Sequence, residues 1–345
     1  MSEGHRATPR TRGGYFEPAL HRYYHHTMKP NVTRDLAENI AALTYSDIPP
    51  PIVATTKAAI LDAVGCMLAG SGHASSQTVL RYALRQGGVP EATIVAGGHR
   101  TPTYLAALVN GTFCRAGIET EAEGPAMRCG DVLVPAALAV AEKELSHGRD
   151  VVTAIVMGWE AMSRIAAAAW PTDAHQPLDP ISTFGPWGAT AVAGTLRGFD
   201  ASTLENAFSL TSGQAAAPFQ AAQAGSDVAH LHAGFAAMFG LRTANLARLG
   251  LSGARAILEG PMGFLMCVAG LYDDGTPRFD VERINDRFGA QWHLDGAPID
   301  GRSSTFRERA SRGELTTAKQ NRALELVRTL EEQEDLTPLL AALTR

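Results

Sequence analysis

The chain has 345 residues, 45% of them hydrophobic and 19% charged, and a formal net charge of -5. This is ordinary globular composition with enough apolar residues for one large core, and its mild acidity provides no field to recruit nucleic acid or an anionic membrane. Four dispersed cysteines, Cys66, Cys114, Cys129 and Cys267, form no CxxC pair and stand at no metal-ligand spacing with a histidine, so a reducing compartment without disulfides is expected.

Residues 1–30 mix Arg6, Arg10, Arg12 and Arg22 with Pro9, Gly13, Gly14 and Pro18, and their lack of periodicity predicts a flexible arm. The same arginine excess can be read as a mitochondrial presequence, although its prolines and glycines interrupt any amphipathic helix. With no apolar signal core and no uninterrupted apolar run of membrane-spanning length, the expected location is cytoplasmic, with mitochondrial as the alternative.

From Thr33 the pattern is helical. Ile60, Leu61, Val64, Met67 and Leu68 fall at helical spacing between Pro49-Pro50-Pro51 and Gly70, predicting a buried helix over 54–70. Thr93-Ile94-Val95, bounded by Pro90 and Gly97, is the one convincing strand candidate. Further helices are predicted over 102–114, 132–145, 151–170, 187–196, 203–212 and 233–249, with a last one near 319–332 and a short amphipathic tail. Their alanine content points to close helix packing in an all-α architecture.

Several stretches occur in an order and spacing that resemble the MmgE/PrpD family of 2-methylcitrate dehydratases and cis-aconitate decarboxylases. They include Leu43-Thr44-Tyr45-Ser46-Asp47-Ile48-Pro49, Ile60-Leu61-Asp62-Ala63-Val64-Gly65 and Asn110-Gly111-Thr112. Gly158-Trp159-Glu160-Ala161, Ser182-Thr183-Phe184-Gly185-Pro186-Trp187-Gly188, Leu231-His232-Ala233-Gly234 and Leu258-Glu259-Gly260 follow. The resemblance implies an MmgE/PrpD-like helical bundle, usually homodimeric, acting on a small molecule without metal or organic cofactor. It also implies a smaller lid domain before the C-terminal helices, for which the sequence between Trp292 and Arg312 is too short. The expected organisation is a helical domain over 31–290, a short connection over 291–313 in place of the lid, and C-terminal helices over 314–345 packing back on the domain.

The family's polycarboxylate chemistry moves a proton beside a carboxylate and stabilises enolate-like charge with cations. Matched one position at a time, most of its polar residues are exchanged here. The acidic motif resembles Glu119, Glu121 and Glu123, and Arg128 stands where the family has a histidine. A guanidinium is no neutral-pH base but grips carboxylates bidentately. The next family histidine aligns with Asp179, four residues after His175, and the family lysine aligns with Ala229. Asp179, His230, Glu119 and Glu121 are therefore the candidate proton-transfer residues, and Arg128, Asp62, His175, Thr183, Phe184, Trp187 and His232 the candidate substrate contacts. Asp62, on a buried helix, needs a partner, for which Arg128 is one candidate. Asp179 can equally cap a helix, and Cys129 reads as a packing residue. On a helix His230 and His232 diverge, so no metal site is expected from them.

Three functions are compatible with these residues. One is a lyase or isomerase acting on a less anionic organic acid. Another is a cyclase with a wide apolar cleft lined by Phe184, Trp187 and Phe219. The third is a non-catalytic dimerising or regulatory subunit. Arg128→Ala is expected to abolish ligand binding with little loss of stability.

Overall fold

The structure, a computed structural model, describes residues 31–118, 127–171, 177–294 and 302–345. The N-terminal arm of the sequence reading lies outside them. Helix α1 (Val32–Ala42) leads through a 3-10 turn at Tyr45–Asp47 into α2 (Pro50–Gly70), where Pro50 occupies a position whose missing N–H costs nothing. α3 (Ala74–Gln86) follows. Two short strands, β1 (Ala92–Thr93) and β2 (Arg100–Thr101), pair antiparallel with Ala92 opposite Thr101. The predicted strand overlaps this ribbon but stops early, because the Val95 N–H donates to the Asn110 side chain at 2.9 Å instead of to a neighbouring strand.

The core is built from α4 (Thr103–Ala116), α5 (Gly130–Glu144), α6 (Gly148–Ala169), α7 (Pro180–Leu196), α8 (Ala201–Ser212), a short α9 (Gln220–Gln223) and α10 (Val228–Arg248). Small residues allow close crossings. A Cβ on Gly111 of α4 would lie 2.7 Å from the Cα of Gly234 on α10, so neither position tolerates a side chain. α7 and α10 run parallel, Gly185 meeting Ala236 and Gly240 meeting Ala189, while Val132 in the first turn of α5 abuts Gly185. α2 and α6 are long and apolar enough to cross a membrane, but 67% and 78% of those stretches are buried within the fold.

The all-α reading is correct. Two helix starts differ most from expectation. α7 begins at Pro180, not at residue 187, because Asp179 caps it and packing carries it through Pro186. α10 begins at Val228, five residues before the predicted start.

The chain continues through α11 (Phe264–Ala269) and α12 (Glu282–Asn285). The stretch after α12 is tied to α6 by a fully buried ion pair: Arg164 Nε donates to Glu160 at 2.7 Å, and its other nitrogens donate to the carbonyls of Ile284, Asp286 and Gln291. Part of the segment read as a connection is helical: α13 (Ser303–Arg312) lies across α2, with Phe306 buried against it. α14 (Thr317–Arg328), a 3-10 turn at Leu330–Glu332 and α15 (Thr337–Ala342) complete the fold. Lys57 of α2 bonds Arg328 O and Glu331, and the backbone of Ala96 exchanges hydrogen bonds with Leu343 and Arg345.

Candidate active site

Asp62 faces outward from the middle of α2 and is met from two directions. Arg128, just before α5, donates through Nη2 to its Oδ2 at 2.9 Å. From α13, Arg309 donates to its Oδ1 at 2.6 Å and Arg302 approaches to 3.5 Å. Burial opposes ionisation of Asp62, but Arg128, Arg309 and Arg302 outweigh it and hold the carboxyl below its ordinary value. Arg128 also donates through Nε to Asp131 at 3.2 Å, and Arg115 stands 3.9 Å from the same carboxylate. Asp131, then Asp62, keep the Arg128 guanidinium firmly charged against its burial.

Four guanidiniums thus converge on two carboxylates, leaving two positive charges in excess among the described residues. The cluster borders a cavity of about 180 Å³, whose walls include Asp62, Arg128, Asp131, Arg302, Met127 and Trp159. A larger cavity of about 380 Å³ lies between Arg34, Glu205 and the segment Ser252–Ala256. None of the candidate residues of the sequence lines it, whereas Asp62 and Arg128 line the smaller one.

A second polar centre occupies the starts of α7 and α10. Asp179 accepts from the Ser182 N–H at 2.8 Å as the N-cap of α7, and its Oδ1 lies 3.2 Å from His232 Nδ1. Burial of Asp179 favours its neutral form, but His232 and Ser182 overcome this and hold the carboxyl low. Arg128, Asp179 and His232 belong to the first two turns, or the residues just before them, of three mutually packed helices.

The family model for the MmgE/PrpD N-terminal domain matches residues 34–274. The chain belongs to the MmgE/PrpD family. It is 26% identical over 275 residues to the cis-aconitate decarboxylase-like protein oryM of Aspergillus oryzae, covering 77% of this chain and 57% of that protein. It is 24% identical over 273 residues to the cis-aconitate decarboxylase of Aspergillus terreus, covering 77% and 55% of the two chains. The mouse cis-aconitate decarboxylase is 26% identical over 259 residues, covering 73% and 53%. The chain therefore spans just over half the length of these MmgE/PrpD relatives.

Within this family scaffold the candidate residues separate into groups. Glu119, Glu121, Glu123 and His175 lie outside the described residues. Arg128 and Asp62 meet, and Asp179 pairs with His232 while capping α7. His230 turns the other way, its Nδ1 3.0 Å from Ser75 Oγ, so the two histidines do diverge. Thr183, Phe184 and Trp187 are core residues instead of cavity walls. Thr183 bonds back to Asp179 O, and the rings of Phe184 and Trp187 both pack on Phe264 without exposure. That packing leaves no wide apolar cleft at Phe184 and Trp187. Cys129 is buried, and burial pushes its thiol up to about 12, which keeps it inert.

Sequence reading missed Asp131, Arg115, Arg302 and Arg309. Asp131 stands three residues after Arg128, and Arg302 and Arg309 are seven apart, spacings that place each pair on one helical face.

Proposed function

We propose that this chain is a lyase-type enzyme of the MmgE/PrpD scaffold that binds an organic-acid carboxylate at the arginine cluster around Asp62. The observation that carries the reading is the excess of two positive charges, counted among the described residues, beside a cavity of about 180 Å³. Arg302, 41% exposed and only 3.5 Å from Asp62, is the cation freest to turn towards a ligand. Planar guanidiniums suit carboxylates and can stabilise enolate-like charge as a C–C or C–O bond breaks.

Proton transfer is assigned to His232. Its Nδ1 is oriented by Asp179, as a carboxylate orients an imidazole base, and in this reading Nε2 would be the exchanging atom. The test is a mass-spectrometric turnover screen of the purified chain with cis-aconitate and related mono-, di- and tricarboxylates. Conversion by the wild type, lost in His232→Gln and reduced in Asp179→Asn, supports the assignment. Conversion that survives His232→Gln removes it.

A homodimer belongs to the same proposal. The outer side of α10, with Leu249 just past its end, presents Val228, Phe235, Leu246 and Leu249, between 36% and 82% exposed, as an apolar stripe suited to pairing with a second copy. Sedimentation of Phe235→Glu should then show monomer where the wild type is dimeric.

A further inference from the structure

Away from the arginine cluster, the start of α3 and the start of α10 bring three ligand-capable side chains together. His73, Asp227 and His230 each offer one donor atom, and these atoms lie within 4.8 Å of one another. The two imidazole rings meet edge to face with centroids 4.8 Å apart. Ser75 Oγ stands between them, 2.8 Å from His73 Nδ1 and 3.0 Å from His230 Nδ1. The Ser75 backbone N–H also points at His73 Nδ1, at 3.3 Å. A backbone N–H can only donate, so that nitrogen carries a lone pair, which here also caps α3.

The arrangement is not a nucleophile triad. In such a triad serine and carboxylate hold opposite nitrogens of the histidine. Here Ser75 and Asp227 both approach Nδ1 of His230, the carboxylate at 4.0 Å. What these groups share is a centre flanked by two imidazoles and a carboxylate. The geometry points to a divalent transition-metal site formed by His73, His230 and Asp227, with at least one coordination position left for water or an oxygen ligand.

Two imidazoles and a carboxylate suit zinc and its first-row neighbours. Ligand bonds of about 2.0–2.2 Å would draw the donor atoms together by roughly an ångström, a movement available to side chains at helix starts. The partial exposure of His230 and the exposure of His73 and Asp227 leave the centre open to an ion from solvent. The inference is independent of the carboxylate-binding proposal.

It is tested by calorimetric titration of Zn2+ into the full chain, purified without a histidine tag, with Co2+ absorption as the spectroscopic check. One saturable equivalent is expected. His73→Ala and His230→Ala should each weaken it by at least tenfold, since losing a direct ligand costs no less than losing a group that supports one. Asp227→Asn should weaken it less, and the metal-free His230→Ala and Asp227→Asn variants should keep the wild-type melting temperature, whereas His73→Ala also removes the side-chain cap of α3 and should melt slightly lower. Absence of a saturable site overturns the inference, as does zinc affinity unchanged in the His73→Ala, His230→Ala double variant, which would place the ion on other histidines.

Discussion

Arg128 shows how far a single residue could be read from sequence. Its role as a partner of Asp62 was legible, because a carboxylate among Ile60, Leu61 and Val64 requires a cation. Its second bond, to the buried Asp131, was not, and this overturns the expectation that Arg128→Ala is harmless to stability. Removing the guanidinium leaves the buried Asp131 facing Arg115 at 3.9 Å, while Asp62 keeps Arg309 and Arg302, so a loss of roughly 2–3 kcal/mol is expected, below that of a fully buried pair left without any cation. Arg302→Ala should cost under about 1 kcal/mol by chemical denaturation, as for an exposed pair, which makes it the cleaner probe of binding. The carboxyls of Asp62 and Asp179 are held below their ordinary value of 3.8. A depressed carboxyl contributes stability above that value, lost as pH falls through the still lower folded value. Denaturation midpoints should therefore fall on acidification below about pH 4, and Asp62→Asn should flatten that slope.

Among the elements, the long helices were readable because apolar spacing and proline or glycine punctuation agreed. Where they conflicted the sequence misled: Pro186 looked like a start but lies inside α7, held there by packing. α13 was missed because it has few apolar residues and is anchored by one ring, Phe306, which is 1% exposed. Phe306→Ala should cost about 3–4 kcal/mol. It should also loosen Arg302 and Arg309 from Asp62, weakening ligand binding more than its distance from the cavity suggests. An unaltered ligand affinity in that variant would show that α13 serves packing alone.

Across the whole molecule, family order and spacing conveyed the architecture, whereas the charges that shape the cavity come from positions distant in sequence. Helical periodicity can group residues on one element but cannot pair α2 with α13. The Glu160–Arg164 pair makes the same point: it bonds carbonyls more than a hundred residues away and fixes the stretch after α12. Arg164→Met should cost about 3–5 kcal/mol, since it leaves the buried Glu160 carboxylate with the His293 N–H but without its cation.

The central claim, that the arginine cluster holds a carboxylate, is tested most directly by calorimetric binding of cis-aconitate and simpler di- and monocarboxylates to the wild type and to Arg302→Ala. The account predicts saturable binding by at least one of these acids, weakened tenfold or more in the variant at a stability cost under about 1 kcal/mol. Equal affinity in the two proteins, or no binding of any carboxylate, would contradict it.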